Sequence, residues 1–258
     1  MTKNQYARYP SLAGMPVVIS GGASGIGADL VRHFAGQGAK VGFVDIADKP
    51  GEALADELNG AGATVKFTHC DITDIPAYQR AIAGFAKTHG DTLALVNNAA
   101  HDERHALKDM TEAYWDQRIA VNLKHAVFAI QAVAPGMIAA GKGSIINFGS
   151  ISWMILSGNM PGYTASKAAM HGLSRSLARD LGPHGIRLNT LVPGFVMTER
   201  QLTHWIGDKE NRLIDETQAL KGRVLPEDVA RMALFLAADD SRMISAQDFI
   251  VDGGWAHG

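Results

Sequence analysis

The sequence predicts an α/β protein: a single Rossmann-like, doubly wound domain with a seven-stranded parallel sheet and helices on both faces. Seven short, β-rich runs recur along the chain, and a helix-length segment separates each from the next. The runs are almost continuously apolar, as expected of strands that helices cover on both sides. With 258 residues, 47% of them hydrophobic, the chain can bury such a core, so we expect one domain over residues 1–258.

The predicted strands follow one another in chain order. The first four are the runs MPVVIS at 15–20, AKVGFVD at 39–45, ATVKFTHCD at 63–71 and LALVNNA at 93–99. The remaining three are GSIINFGS, ending at Ser150, IRLNTLVPG, ending at Gly194, and DFIVDGG, ending at Gly254. These seven runs account for the sheet.

The segments between the strands have helical periodicity. One apolar stripe is formed by Ile26, Leu30, Val31 and Phe34, and another by Met170, Leu173, Leu177 and Leu181. The second helix is predicted to end at Gly182 and Pro183, a typical helix-ending pair. The long connection at 195–224 is expected to carry function, as a loop over the substrate site.

Composition excludes several classes of partner. The formal net charge is -2, from 24 basic and 26 acidic residues, so no basic surplus favours nucleic acid or an anionic membrane. A single cysteine, Cys70, cannot form an internal disulfide, and the stretch MTKNQYARYP lacks the apolar segment of a secretory signal. The apolar run at 126–140 is interrupted by Gln131 and Pro135, and is too short to span a bilayer. We expect a soluble, cytoplasmic protein with a small-molecule ligand.

The segment SGGASGIG at 20–27 directly follows the first strand and opens the first helix. Its glycines at 21, 25 and 27 let the backbone turn tightly and approach a pyrophosphate, which N–H groups at the helix N-terminus stabilise. A tight strand-helix turn without a ligand is the alternative for the glycines alone. Asp45 ends the second strand and can accept the ribose hydroxyls of an adenosine. Its carboxylate would repel a 2′-phosphate, and Ser24 supplies no positive charge, so NAD is favoured over NADP.

Polar residues also follow the third and fourth strands. Asp71 with Ile72, and Asn97 and Asn98 with Ala99, come at successive strand ends, where a doubly wound sheet binds its ligand. Each of them alone is equally compatible with capping a strand end. Their occurrence at neighbouring strand ends favours a shared crevice.

A tyrosine and a lysine in the segment GYTASKAAM indicate proton-transfer chemistry. Tyr163 and Lys167 are four residues apart on a predicted helix and therefore share a face. A tyrosine acts as a base near neutral pH only if its pKa falls roughly 2 to 3 units from about 10, which a nearby ammonium and a positive nicotinamide ring favour. The spacing alone is common by chance, but Ser150 precedes Tyr163 by 13 residues and can hydrogen bond to the reacting oxygen.

Over almost its whole length the sequence resembles the short-chain dehydrogenase/reductase family. The matching pieces are the Gly-rich turn, Asp71, NNA at 97–99, Asn122 in AVNLKHA, Ser150, YTASK, PGFVMT and the terminal VDGG. The resemblance implies a catalytic tetrad in which Tyr163 is the base, Ser150 orients the substrate oxygen, Lys167 lowers the tyrosine pKa and holds the nicotinamide ribose, and Asn122 supports a water relay. A polar helix residue satisfied by the backbone is the alternative for Asn122.

The resemblance, with the residues above, implies an NAD site. It comprises Gly21, Ser24, Gly25, Ile26, Gly27, Asp45, Ile46, Asp71, Ile72, Asn98, Ala99, Tyr163, Lys167, Pro193, Gly194, Val196 and Thr198. Two positions depart from the family pattern. Ser20 replaces a threonine and keeps the hydroxyl, while Ala100 replaces a glycine and adds a methyl group close to the expected nicotinamide pocket.

A closer resemblance is to bacterial sugar 1-dehydrogenases of this family, the D-xylose type and its D-galactose, L-arabinose and L-fucose relatives. The similar pieces are YPSL, DERH, AYWDQRIAVNL, INFGSISW and PGFVMTERQ. This resemblance implies NAD-dependent oxidation of an aldose at its anomeric carbon to the aldonolactone. Expected substrate contacts are Asp102, Arg104, Ser150, Asn159, Tyr163, Arg200 and Gln201, with Trp153 or Trp205 as an aromatic wall. For each of these residues other than Ser150 and Tyr163, an ordinary surface or packing role is the alternative.

Other functions remain open at this point. A 3-oxoacyl reductase of the same fold normally prefers NADPH and has a basic side chain near Ser24, whereas a polyol or other secondary-alcohol dehydrogenase shares every catalytic residue. An NAD-sensing protein without activity usually has a broken tetrad. The family resemblance also implies a homotetramer in which the helices carrying Asn122 and Tyr163 pack between subunits.

The stretch HDERH at 101–105 places five ionisable residues directly after the fourth strand. Two histidines beside two carboxylates are compatible with a metal site, an acid/base pair, a solvated charge cluster or a substrate-facing loop. The resemblance implies chemistry through a tyrosine, so we expect no metal and a loop conformation. Asp102 and Arg104 are then the candidates for contacts with substrate hydroxyls.

Overall fold

The computed structural model describes residues 6–256 of the chain. Residues 1–5, which belong to the stretch MTKNQYARYP considered in the sequence analysis, lie outside the described residues, as do residues 257 and 258. The strands are β1 (Pro16–Ser20), β2 (Lys40–Asp45), β3 (Thr64–His69), β4 (Ala94–Asn97), β5 (Gly143–Phe148), β6 (Ile186–Pro193) and β7 (Asp248–Val251). They form one parallel sheet in the order β3-β2-β1-β4-β5-β6-β7, which confirms the predicted sheet.

The connections between the strands are mostly helical. The helices are α1 (Gly25–Gly36), α2 (Asp48–Gly60), α3 (Ile75–His89), α4 (Glu112–Ile119), α5 (His125–Ala140), α6 (Pro161–Leu181), α7 (Glu199–His204), α8 (Asp208–Thr217) and α9 (Pro226–Ala237). A π-helical turn, Ala120–Lys124, joins α4 to α5 without a break in direction. Helix α6 ends at Leu181, directly before the predicted Gly-Pro stop.

Two apolar clusters place the helices on opposite faces of the sheet. On one face Leu30 and Phe34 of α1 pack with Leu54 of α2 and with α9. On the other face Phe85 of α3 and Val133 of α5 pack with the partly buried leucines of α6. The doubly wound arrangement is therefore confirmed, because a parallel sheet with apolar side chains on both faces must be covered twice.

Five of the strands end one to three residues earlier than the sequence predicts. The predicted ends at Asp71, Ala99, Ser150, Gly194 and Gly254 lie just beyond β3, β4, β5, β6 and β7. At this carboxyl edge the last sheet hydrogen bonds are donated by residues just beyond the strands, such as Cys70, Gly149 and Gly194, and the backbone then leaves the ladder. The residues that follow these five strands thereby lie along one edge of the sheet.

The Gly-rich turn after β1 depends on close backbone approach. Gly21 has φ +70° and Gly25 has φ +52°, conformations that favour glycine. A Cβ atom on Gly27 would lie 1.7 Å from the carbonyl oxygen of Gly21, so α1 can begin this close to β1 only with glycine at 27.

The connection at 195–224 contains α7 and α8 and returns to its own start. Val196 pairs with Val224 in an isolated parallel bridge, and both side chains are buried. The main-chain N–H of Met197 donates to the carbonyl of Val224 at 2.9 Å. The connection therefore leaves the sheet edge at Val196 and returns beside it at Val224, with α7 and α8 between these two points.

The continuous helical stretch Glu112–Ala140 is long and apolar enough to cross a membrane by length and composition alone. In the fold it comprises α4, the π-helical turn and α5, and it packs against α3 and α6. His125, Ala129 and Val133 on its inward face are buried. Apolar composition of this kind is what a helix that covers a sheet requires.

We predict that Gly27→Ala destabilises the protein by about 2–3 kcal/mol, because the new methyl group overlaps a carbonyl oxygen and forces backbone movement. Gly36→Ala in the same helix is the matched control: a Cβ there meets nothing within 4 Å, so helix propensity should make it neutral or stabilising by up to about 1 kcal/mol. Denaturant unfolding of both variants measures the difference. Equal stability of the two would contradict the close approach of α1 to β1.

Candidate active site

A cavity of about 870 Å³ opens along the carboxyl edge of the sheet. It runs from the ends of β2 and β3, past β1 and β4, to the segments that follow β5 and β6. The predicted cofactor residues on its wall are Gly21, Ser24, Ile26, Gly27, Asp45, Ile46, Asp71, Ile72, Asn98, Ala99, Tyr163, Lys167, Pro193, Gly194, Val196 and Thr198. Gly25 is not among the wall residues, and a Cβ on it would meet the Thr198 methyl at 3.3 Å.

Asp45 joins the end of β2 to the Gly-rich turn. Its carboxylate accepts hydrogen bonds from the main-chain N–H groups of Ala23 and Ala47, each at 3.0 Å. Asp71, on the neighbouring strand end, accepts from the N–H and hydroxyl of Thr73. This half of the cavity therefore has two fixed carboxylates, and no lysine or arginine is among its described wall residues.

The β1 and β4 ends are locked together by Ser20 and Asn98. The Ser20 hydroxyl accepts from the N–H groups of Asn98 and Ala99, both at 3.1 Å. The Asn98 amide donates to the carbonyls of Ser20 and Gly21, both at 3.0 Å. Asn97 does not reach the cavity: it is fully buried and donates to Asn147 of β5 at 2.8 Å.

Ser150, Tyr163 and Lys167 meet on the cavity wall beside the end of β5. Ser150 follows β5 and caps a short 3₁₀ turn, since its hydroxyl accepts from the N–H of Ser152 at 3.1 Å. Tyr163 and Lys167 are one turn apart on α6, and the Lys167 ammonium lies 5.7 Å from the centre of the tyrosine ring. Lys167 is 1% exposed and donates to the carbonyl of Phe148 at 2.8 Å.

Burial dominates the electrostatics of these groups. Burial is the largest of the effects that together raise the pKa of Tyr163 to about 12; hydrogen bonding to Ser150 and the charge of Arg104 oppose the rise, and the charge of Asp102 adds to it. Burial lowers the pKa of Lys167 to about 7, and the carboxylate of Asp102 opposes that shift. The Tyr163 side chain retains some solvent exposure toward the cavity, so water there lessens the effect of burial.

Asn122 occupies the π-helical turn between α4 and α5 and is fully buried. Its carboxamide brackets the main chain of His101: the oxygen accepts from the His101 N–H at 2.8 Å, and the nitrogen donates to the His101 carbonyl at 3.2 Å. A π turn is frequent at functional positions of helices. Here it brings Asn122 to the loop that follows β4.

Comparison with known proteins identifies the family. A family described as enoyl-(acyl carrier protein) reductase matches residues 21–256. A D-xylose 1-dehydrogenase from Caulobacter vibrioides is 48% identical over 249 residues, covering 96% of this chain and 98% of the relative. The chain belongs to the short-chain dehydrogenase/reductase family. The predicted membership is confirmed, and with it an oxidoreductase that acts on CH–OH groups with a nicotinamide dinucleotide.

Two further members of the family are similar over nearly the whole chain. A probable galactose dehydrogenase GalD from Rhizobium meliloti is 41% identical and covers 96% of this chain and 97% of its own length. A crystal structure of a 3-oxoacyl-[acyl-carrier protein] reductase with bound NAD, from Brucella melitensis, superimposes with a TM-score of 0.88 at 28% identity, covering 100% of this chain and 99% of that chain. The predicted resemblance to sugar dehydrogenases of the short-chain dehydrogenase/reductase family is thus confirmed.

At the other end of the cavity, the polar residues of this short-chain dehydrogenase/reductase pair with one another. Asp102, in the loop after β4, accepts from Gln201 at 2.6 Å and from Arg200 at 3.2 Å, both on α7. Arg104 lies against the Trp205 ring, 5.2 Å from its centre, and contacts the Met160 sulfur. Residues 98–106 form no helix or strand, as expected of a loop.

Three residues considered as substrate contacts are not on the cavity wall. The Trp153 indole donates to the His171 imidazole at 3.2 Å, away from the cavity. Asn159, with φ +57°, uses its carbonyl to accept from the His105 N–H at 2.6 Å. Trp205 reaches the site only through Arg104. The expected aromatic wall therefore lies behind polar residues rather than facing the ligand space.

The cavity wall also has residues that the sequence analysis missed. They include Gln117, Arg118, Ser152, Ser157, Met160 and Phe195, as well as Ala100, which had been noted only for its extra methyl group. Arg118 is 4% exposed and precedes Asn122 by four residues. The signal that could have identified Arg118 is its helical spacing from Asn122, because positions i and i+4 share a face.

We predict that Asp102→Asn lowers the pKa of Lys167, because a negative charge that favours the ammonium form is removed. The pKa is measured from the pH dependence of the Lys167 Cε signal in NMR spectra, assigned with Lys167→Arg, and should be near 7 before the change. Glu103→Gln removes a neighbouring carboxylate that does not act on Lys167 and should leave its titration unchanged. An unshifted midpoint in Asp102→Asn would contradict the electrostatic link.

Proposed function

We propose that the protein oxidises an aldose at its anomeric carbon to the aldonolactone, with NAD as the hydride acceptor. The observation that carries the proposal is one continuous cavity with the Gly-rich turn and Asp45 at one end, Tyr163 and Lys167 in the middle, and a polar loop at the other. The relatives named above as acting on D-xylose and on galactose favour an aldose.

The residues at the first end fit a dinucleotide. The turn at Gly21 and Gly27 has no room for Cβ atoms, and its N–H groups at the start of α1 offer the charge that a pyrophosphate needs. The fixed Asp45 carboxylate is oriented to accept ribose hydroxyls, and the absence of a described cation nearby supports NAD over NADP. When bound, NAD would supply the hydride acceptor and a positive charge beside Tyr163.

The proton is handled by the chain's own groups. In the proposed mechanism Tyr163 removes the proton from the O1 hydroxyl, and Ser150 donates a hydrogen bond to the same oxygen. Tyr163 needs a lowered pKa to act near neutral pH, which requires positive charge to offset the burial that raises it. Lys167 provides this charge in its protonated form, and its hydrogen bond to Phe148 fixes where the charge sits. Asn122 holds the loop that forms the adjoining wall.

The polar end of the cavity suits a polyhydroxylated ligand. One carboxylate oxygen of Asp102 accepts from Arg200 and the other accepts from Gln201. A carboxylate has about four acceptor sites and a guanidinium five N–H donors, so these two hydrogen bonds do not use them all. Donors and acceptors therefore remain for sugar hydroxyls at Asp102, Arg200 and Gln201. Arg104 lies on the same wall and adds a further donor group.

We also propose that the protein assembles as a homotetramer in which α4–α5 and α6 form contacts between subunits. Val127 and Ile138 of α5 are 39% and 40% exposed, so this helix has apolar groups on its outward face as well.

Residues 1–258 are proposed to form one domain, because no linker-like segment interrupts the sheet order. The segment 195–224 is proposed to cover the substrate.

The proposed function is tested by NADH formation at pH 7–9 over D-xylose, D-galactose, L-arabinose, L-fucose, their polyols and simple secondary alcohols. We expect oxidation of at least one aldose in preference to its polyol. Tyr163→Phe should lower kcat by about a thousandfold while NAD affinity is retained, since general base catalysis contributes this much. Tyr9→Phe, a tyrosine packed against Phe235 far from the cavity, is the control and should keep the wild-type rate. Oxidation of polyols or secondary alcohols alone would refute the aldose assignment.

A second prediction concerns the choice of cofactor. Asp45→Asn should reduce the ratio of kcat/KM with NAD to that with NADP by about 10-fold, equivalent to about 1.4 kcal/mol, because the repulsion of a 2′-phosphate is removed. Any disturbance of the turn affects both cofactors, so the ratio isolates the charge. Asp48→Asn, in the exposed first turn of α2, is the matched control and should leave the ratio unchanged. A wild-type ratio below one would overturn the role of Asp45.

A further inference from the structure

The imidazole of His101 is held by a buried arginine. Arg118 of α4 is 4% exposed, and its guanidinium donates to His101 Nδ1 at 2.5 Å. A second guanidinium nitrogen donates to Gln117 at 3.1 Å, and the group lies over the Tyr114 ring, 4.9 Å from its centre. These contacts leave Arg118 little freedom, so the direction of its hydrogen bond to His101 is fixed.

This hydrogen bond selects one form of the histidine. A guanidinium can only donate, so Nδ1 of His101 must accept, and the ring proton of a neutral imidazole is then on Nε2. Burial, followed by the positive charges of Arg118 and Arg200, holds the pKa of His101 below its ordinary value, while Glu103 and Asp102 act in the opposite direction. The Glu103 carboxylate also forms an ion pair with the Arg118 guanidinium at 3.5 Å, so its charge acts on Arg118 as well as on His101.

His101 lies on the cavity wall, and its Nε2–H group is not used by any residue in the described range 6–256. Its side chain is 38% exposed. The His101 main chain is bracketed by the Asn122 carboxamide. It also lies between Ala99, whose N–H bonds to Ser20, and Asp102, whose charge acts on both Tyr163 and Lys167. A donor of fixed direction is thus tied to the elements around the reacting groups.

We propose that His101 is a specificity-determining residue that donates its Nε2–H to a ring hydroxyl of the sugar, with Arg118 as its positioning residue. The proposal rests on the proposed aldose oxidation and specifies how that site recognises its substrate. It gives Arg118 a role that needs no contact with substrate. A donor held in one tautomer distinguishes a hydroxyl in one orientation from its epimer, which a freely rotating imidazole would not.

Substitutions at His101 distinguish the acceptor role of its Nδ1 from the donor role of its Nε2. His101→Asn keeps an acceptor near the position of Nδ1 for Arg118 but has no donor at the position of Nε2. We expect KM for D-xylose to rise about 3- to 10-fold, with kcat and KM for NAD close to wild type. His101→Gln, which places an amide donor near Nε2, should recover part of the loss. With 2-deoxy-D-xylose and 3-deoxy-D-xylose, one analogue should show no difference between wild type and His101→Asn, because it lacks the contacted hydroxyl.

A measurement without substrate tests the positioning role of Arg118. In ¹⁵N NMR spectra the His101 ring should be the Nε2–H tautomer at neutral pH, and it should protonate below the ordinary histidine range. Arg118→Met should mix the tautomers and raise the His101 pKa, since a positive charge is removed, whereas Arg118→Lys should keep the pKa low. An Nδ1–H tautomer in the wild type would overturn the positioning role.

The outcomes separate the two proposals. If no aldose is oxidised in the substrate panel, the proposed function and the specificity role both fail. If aldoses, D-xylose among them, are oxidised and His101→Asn leaves KM unchanged for every sugar, only the role of His101 fails. A fall in kcat together with an unchanged KM would likewise overturn it, because that result indicates a disturbed Asn122 rather than a lost sugar contact.

Discussion

The reversal of strand order between β1 and β4 is the constraint on which the site depends. Strands β2 and β3 are added on one side of β1, and β5, β6 and β7 on the far side of β4, so the connections that leave β1 and β4 diverge. A crevice must open between them at the carboxyl edge. Ser20 and Asn98 hold the two strand ends together below it. The cavity therefore has a rigid floor, although most of its wall is loop.

Burial at this edge works against the charges that the chemistry needs. Lys167 is held among protein atoms, where its ammonium form is disfavoured, and the phenolate of Tyr163 is disfavoured for the same reason. Without further positive charge the pair keeps its proton on the tyrosine at neutral pH. In the proposed mechanism, Tyr163 therefore gains base strength only when a cation lies beside it. The proposed mechanism thus couples proton removal to occupation of the cofactor half of the cavity.

Much of the fold and the central site could be predicted because their signals are local. Strand periodicity, the glycines of the first turn and the i, i+4 spacing of Tyr163 and Lys167 are properties of short segments. The polar end was less accessible, because Asp102 and Arg200 are 98 residues apart and meet only through tertiary structure. Trp153 was expected at the ligand because of its chemistry, yet its indole N–H donates to His171 and the residue is not on the cavity wall. No sequence pattern contains that information.

The loop after β4 shows how an irregular segment becomes a precise wall. His101 contacts Asn122 and Arg118 on one side, while His105 accepts from the N–H of Gly162 at 3.3 Å and contacts the Tyr114 hydroxyl at 3.1 Å. That N–H lies in the first turn of α6, where main-chain N–H groups have no acceptor within the helix. His105 therefore supplies the missing hydrogen-bond acceptor at the residue directly before Tyr163. Asp102 reaches across to α7.

The same loop thus links α4, α6 and α7 before any ligand enters. Its charges are mostly used within the protein, and the groups left over are directional donors and acceptors rather than a net charge. A wall of this kind gains little from an ionic ligand, which would have to displace existing pairs. It gains most from a neutral molecule with many hydroxyl groups, each of which can meet an unused donor or acceptor without breaking a contact that holds the site together.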